Sequence, residues 1–251
     1  MGNKRFQAPV LLLVFLCASS SCIVKEDRTA CPCALYIDLC ELPPAGVTLA
    51  LTGEDYAGQL EAARDTTLVV KVPKTGVRVL AVSGATPGPD GRVVIPPGFD
   101  APPLYLFSAG VPTPGDTAHV SVRLNKHYCQ LSLTLESPPG WGEPYWTQVR
   151  GRVNGICQDG TPSEGEFSCR LDPGGVIRLP RQHPASELWL DIVMPDRVVR
   201  SFALGTYMLE AGYDWTAPDL EDLPLEIRLS VTRISLSVGT WRTLVPFPVE
   251  I

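Results

Sequence analysis

Apolar and polar residues alternate with a period of two through most of this chain, in short runs separated by glycine and proline. Val120, Val122 and Leu124 oppose Ser121 and Arg123, and Cys129, Leu131, Leu133 and Leu135 oppose Gln130, Ser132 and Thr134. That period puts alternate side chains on opposite faces of a strand, so each run has one buried face and one wet face. Further runs rich in Val, Leu, Ile, Thr and aromatics span 34–39, 47–52, 66–72, 77–82, 92–95 and 104–109, then 146–153, 166–171, 176–179, 187–193 and 197–204. Turn clusters such as GATPGPDG at 84–91 and PTPG at 112–115 punctuate them. Evenly spaced short strands with this punctuation predict an all-β sandwich architecture. The only helix candidate is 54–64 (EDYAGQLEAAR), and Gly58 weakens it.

The segment 137–142 (SPPGWG) reads as a linker, because adjacent prolines stiffen an extended chain that cannot join a central strand. It divides the chain into an N-terminal sandwich over 31–137 and a C-terminal one over 138–251. Within 225–238 the apolar residues Leu225, Ile227, Leu229 and Val231 give way to Ile234, Leu236 and Val238. A phase change of one residue predicts a β-bulge or a turn at Thr232 and Arg233. In the last run, 243–251, Pro246 and Pro248 sit two apart and remove backbone donors from the same side. Such a strand pairs fully on one side only, which predicts a sheet edge protected against further addition.

One apolar run does not fit this pattern. Lys4 and Arg5 precede residues 8–18 (APVLLLVFLCA), which lead through Ser19, Ser20 and Ser21 to Cys22. The order of a cationic tip, a short apolar run and small residues describes an export signal, and the run is shorter than the roughly 20 residues that span a bilayer. Cys22 after small residues resembles the lipobox of bacterial lipoproteins, with Ser19 standing where Leu is usual; the alternative is a plain secretory signal. The expected organisation is a signal peptide over 1–21, a mature chain beginning at an acylated Cys22, and a tether over 22–30. Two or more acyl chains on Cys22 would anchor the chain to a membrane without spanning it. Lys25, Glu26, Asp27 and Arg28 behind the cysteine resemble the surface-export signal of lipoproteins from Bacteroidetes-type bacteria.

Removal of the signal leaves 19 basic and 27 acidic residues, a net charge of −8. The acidic, unclustered charge argues against nucleic acid as a partner. Setting aside Cys17 and Cys22, six of the eight cysteines remain: Cys31, Cys33, Cys40, Cys129, Cys157 and Cys169. Their spacing does not fit zinc. Disulfides are compatible with export, though six cysteines allow 15 connectivities. Cys157 and Cys169 flank the turn-rich 158–165 and are candidates for facing positions on a hairpin, whereas Cys31 and Cys33 would share one face of a strand.

Little in the sequence supports catalysis. His119, His127 and His183 are far apart, and no nucleophile elbow, phosphate-binding glycine loop or dinucleotide fingerprint occurs. Asp219, Glu221 and Asp222 lie between prolines and read as a solvated loop. The expectation is a non-enzymatic protein with no catalytic residues, cofactor or metal. Trp141, Trp146, Trp189, Trp215 and Trp241 are scattered and read as packing residues. Asp65-Thr66-Thr67 and Asp116-Thr117-Ala118 resemble an O-glycosylation sequon of Bacteroidetes-type secreted proteins.

The stretch 22–39 (CIVKEDRTACPCALYIDL) is similar to the start of the FimB/Mfa-type fimbrial anchor lipoproteins, where a lipid cysteine is followed by an acidic pair and a Cys-Pro that opens the first strand. Here those are Cys22, Glu26 with Asp27, and Cys31 with Pro32. The segments 69–73 (VVKVP) and 120–133 (VSVRLNKHYCQLSL) resemble that family's last first-domain strands, and 220–251 resembles its C-terminal end. Cys33, Cys40 and the short C-terminus depart from the family pattern. The resemblance implies two tandem transthyretin-like (immunoglobulin-like) β-sandwiches and a lipid-anchored fimbrial subunit at the outer-membrane surface. It also implies fimbrial shaft subunits as partners through strand exchange, with this chain as anchor and assembly terminator. The alternatives are a surface lipoprotein that binds glycans or host proteins, and a fimbrial tip or minor subunit.

Overall fold

The computed structural model describes residues 31–41, 46–63, 66–136, 146–172, 174–185, 187–194, 197–229, 233–239 and 241–246. Cys22, the acidic pair behind it and the proline-rich 137–142 lie outside the described residues. The first nine strands are β1 (Cys33–Glu41), β2 (Val47–Gly53), β3 (Tyr56–Ala62), β4 (Thr67–Val72), β5 (Val77–Ser83), β6 (Val93–Val94), β7 (Tyr105–Val111), β8 (Thr117–Arg123) and β9 (Asn125–Lys126). The rest are β10 (Tyr128–Glu136), β11 (Trp146–Ile156), β12 (Pro162–Leu171), β13 (Val176–Pro180), β14 (Leu188–Met194), β15 (Arg197–Phe202), β16 (Leu223–Leu229), β17 (Arg233–Val238) and β18 (Trp241–Pro246). Among the described residues one helix, α1 (Leu204–Glu210), interrupts them.

These strands form two pairs of sheets. A sheet ordered β4-β1-β8 faces one ordered β3-β2-β5-β7-β9, and the alternate residues Leu35, Ile37, Leu49, Leu51, Val79 and Val122 fill the space between them. A sheet ordered β13-β10-β16-β17-β18 faces β12-β11-β14-β15, to which β6 adds beside β11. Their core holds Leu131, Val149, Phe167, Leu179, Leu190 and Leu225. A third, smaller cluster joins the two sandwiches: Leu80, Val82 and Leu106 of the first meet Ile156 of the second. β5 therefore buries both faces, and its near-continuous apolar sequence VRVLAVS follows from that.

The two sandwiches share one topology. β1 runs antiparallel to β4 and parallel to β8, and β10 runs antiparallel to β13 and parallel to β16. The registers align Cys33 with Val72 in the first and Cys129 with Leu179 in the second. Equivalent strands accordingly carry the same pattern, Cys33-x-Leu35-x-Ile37 and Cys129-x-Leu131-x-Leu133.

Five sequence expectations need correction. Tyr128–Glu136, grouped by sequence with the first sandwich, is the opening strand of the second, because its apolar face packs on Val149 and Phe167. The predicted helix at 54–64 is a hairpin: Glu54 and Asp55 turn the chain between β2 and β3, and Gly53 pairs with Tyr56. β3 is an exposed edge strand whose polarity mimics a surface helix. Gly58 lies beneath the Tyr56 ring, whose hydroxyl is 3.2 Å from where a Cβ would stand. The run to Leu204 ends as a strand at Phe202, and α1 follows, with Leu204 and Met208 turned into the core. Cys157 and Cys169 do not face each other; both are free thiols, Cys157 at the hairpin turn and Cys169 opposite Val149. Cys31 precedes β1 and is exposed while Cys33 is buried, so they share no strand face either. On either side of the phase change within 225–238, β16 and β17 pair antiparallel from Leu225–Val238 to Leu229–Ile234, and residues 230–232 between them lie outside the described residues.

Candidate assembly surface

Strand β1 is the central strand of its sheet in the first sandwich. Cys33, Leu35, Ile37 and Leu39 are fully buried, and β1 has a hydrogen-bonded neighbour on each side. Burying three large aliphatic side chains contributes on the order of 5–9 kcal/mol, comparable with the whole stability of many domains. On its outer face Tyr36 stacks on His119 at 4.7 Å with 11° between the rings. The Ala34 N–H donates to Asp116 O at 2.8 Å. β1 thus occupies a slot, between β4 and β8, that the fold cannot leave empty.

At the other end of the chain β18 is the last strand of its sheet and pairs with β17 alone, Pro246 standing opposite Arg233. This is the edge that the paired prolines predict. Residues 247–251, including Pro248, lie outside the described residues.

The junction between the sandwiches is built on Arg181, immediately after β13 and only 7% exposed. Its guanidinium donates to the carbonyls of Trp215 (2.6 Å), Ala217 (2.7 Å), Pro218 (2.8 Å) and Lys126 (3.3 Å), and to His127 Nδ1 at 3.1 Å. Burial and the adjacent Arg181 charge push the His127 pKa down to about 4, so the imidazole is neutral and accepts at Nδ1. The acids read as a solvated loop are exposed, yet they hold this junction. Asp219 accepts from the Lys126 N–H at 2.7 Å, and Asp222 accepts from the Gln130 N–H at 2.7 Å and Lys126 Nζ at 2.6 Å. Tyr213 and Trp215 pack edge to face at 4.7 Å beneath them.

Two tryptophans lie on the outer face of the β12-β11-β14-β15 sheet. The Arg150 guanidinium sits 5.3 Å over Trp189 and donates to the buried Asp191 at 2.7 Å, and Arg170 sits 5.2 Å over Trp146. Beside them runs an open groove of ≈ 960 Å³ lined by Arg152, Glu164, Glu166, His183 and Glu187. Each ring carries a cation over one face rather than joining the other in a shared flat platform. Trp215 is core, and the side chains of Trp141 and Trp241 lie outside the described residues. Among the described residues no helix is long and apolar enough to cross a membrane.

Solved structures share this tandem-sandwich fold. No protein-family model and no curated protein matches the sequence. The fold is similar to that of the fimbrial anchor protein Mfa2 from Porphyromonas gingivalis, with a TM-score of 0.62 and 12% identity over 87% of this chain and 100% of that one. It is also similar to a candidate adhesin from Bacteroides ovatus (TM-score 0.61, 13% identity, 85% of this chain and 95% of that one). A candidate polysaccharide-binding protein from Bacteroides thetaiotaomicron matches at 0.61 and 13% identity over 85% and 98% of the two chains. Identities this low establish a common fold.

Proposed function

We propose that this chain is a lipid-anchored fimbrial subunit, an anchor that attaches a strand-exchanged fimbrium to the outer membrane and terminates its assembly. The observation that carries the reading is the position of β1. In strand exchange, main-chain hydrogen bonds and alternating side-chain pockets let a neighbour's strand fill a vacant slot. Here the chain's own β1 fills it, with Leu35, Ile37 and Leu39 fully buried. Arg28, the basic residue next to the tether acids, precedes β1, so a cut there would release the lipid and still leave the slot closed. The fold shared with a fimbrial anchor and with an adhesin supports a cell-surface, fimbrial role.

The test is metabolic palmitate labelling and intact mass of wild type beside Cys22→Ala, together with immunogold location on isolated fimbriae. The anchor reading expects label on wild type only and protein at the fimbrial base. Unlabelled mature protein beginning at Thr29, or protein at the tip, overturns it. The groove beside Trp189 keeps a glycan-binding role as the second reading, supported by the fold shared with a polysaccharide-binding candidate. Arg150 over the indole counts against it, because a sugar ring would need that face.

A further inference from the structure

β12 and β13 end the two sheets of the second sandwich on the same side, and no strand ladder joins them. Residues 93–103 cross that side, although in sequence they belong between β5 and β7 of the first sandwich. The crossing segment touches three strands in turn. Val93 and Val94 pair with Ile156 and Gly155 of β11, and the Ile95 N–H donates to Asn154 O at 2.7 Å. The Gly98 N–H donates to Ser168 O of β12 at 2.7 Å, and the Ala101 N–H to Arg178 O of β13 at 2.8 Å. The Asp100 carboxylate accepts from Arg178 Nε at 2.9 Å. Ile95 and Ala101 are 4% and 1% exposed and belong to the second core.

Both ends of the segment are set by glycine. A Cβ on Gly155 would collide with the Val93 carbonyl oxygen, and one on Gly84, at φ +87°, with the carbonyl oxygen of Pro103. Between those ends Pro96, Pro97, Pro102 and Pro103 lack N–H groups, so the segment cannot become a full ladder strand. It is held instead by a few backbone bonds, one ion pair and two apolar anchors six residues apart. Phe99, 65% exposed, marks the turn between them.

We propose that residues 93–103 are a complementing strap which the first sandwich lends to the second, and that the cleft it fills is a binding site for an extended, proline-rich peptide. While the strap is seated, the second sandwich accepts no such segment from another chain. The proposal leans on the strand-exchange reading only for what a vacated cleft would receive in a fimbrium. The test uses purified full chain alone, so its failure leaves the anchor reading standing.

The variant is Ile95→Asp, which places a charge at an anchor, and the probe is a fluorescent synthetic peptide of residues 93–103. In the variant, amides of β12 and β13 should exchange about tenfold faster than in wild type while those of β1 and β2 are unchanged. The peptide should bind the variant saturably and restore that protection, and should bind wild type at least about tenfold more weakly. Unchanged exchange in β12 and β13 overturns the proposal, as does equal binding to both proteins or binding to neither. If Ile95→Asp also exposes the first sandwich, Asp100→Ala replaces it, with the same readouts and a change of about threefold.

Discussion

The two sandwiches are built to one plan and differ in how their first strands enter. β10 is fed directly by β9 and His127, so it is covalently enclosed between two folded bodies, while β1 precedes both of them in the chain. The second sandwich also carries β17 and β18 beyond its parallel strand, an extension the first lacks. The cation after the fourth strand shows the same divergence. Val72-Pro73-Lys74 follows β4 and Leu179-Pro180-Arg181 follows β13. Lys74 reaches Asp116, just before β8, at the surface; Arg181 is buried and binds the carbonyls of the loop leading to β16.

The most severe challenge to the shared plan is to remove equivalent core residues. Leu35→Ala and Leu131→Ala should each cost about 4 kcal/mol, since each side chain is fully buried between a parallel and an antiparallel neighbour. Chemical denaturation with region-resolved hydrogen exchange checks this. A loss under about 1 kcal/mol at either position would mean that the two first strands are not energetic equivalents. Next in size is Arg181→Met, which removes the guanidinium donor from the carbonyls of Trp215, Ala217 and Pro218 and from His127, while the Lys126 carbonyl keeps the Leu220 N–H. It should cost about 3 kcal/mol and speed exchange across 125–130 and 213–220.

Much of this plan is legible in the sequence because period-two alternation and Pro/Gly punctuation are local signals. The strand runs of β1, β2, β4, β5, β7 and β8 appear there within a few residues. The repeat itself is also written there, as Cys-x-Leu-x-Ile/Leu at 33–37 and 129–133, but it emerges only once register shows which positions to align. What stays hidden depends on distant partners. β3 looks helical because, as an edge strand, it buries only Ala62 and part of Tyr56 from its apolar face and leaves Gln59, Leu60 and Glu61 exposed. Arg181 reads as an ordinary surface cation until the loop carbonyls close over it. Of the strap at 93–103 only the short apolar run at 92–95 is legible, since its two anchors are buried in a core formed by residues far along the chain. The lipid site at Cys22 rests on sequence alone.

The pH dependence of stability separates the two halves further. The His127 pKa falls from 6.5 in the unfolded chain to about 4 in the folded one. Between those values the unfolded state binds more protons, so the contribution is complete above pH 6.5 and is lost as pH falls toward 4. The expected loss is about 3 kcal/mol, comparable with the Arg181→Met effect. His127→Asn keeps an acceptor for Arg181 without titrating. The difference between the wild-type and variant stability curves should therefore slope across that window. A flat difference would mean that the imidazole is not held neutral by the junction.

The smallest effect is expected at Lys74, and it decides whether the two cations are equivalent in energy or only in position. Lys74 Nζ lies 2.7 Å from Asp116, whose side chain is half exposed. Water screens such a pair, and an exposed ion pair contributes about 0–1 kcal/mol. Arg181 is buried and bonds four carbonyls, so its loss takes a shared donor from partly buried acceptors. Lys74→Met should therefore change stability by less than about 1 kcal/mol, and 0.5 M salt should erase most of even that. If Lys74→Met matched Arg181→Met, the approach to β8 would be as dependent on its cation as the approach to β16. The first sandwich would then have a junction of its own, and the divergence inferred from burial would be one of geometry only.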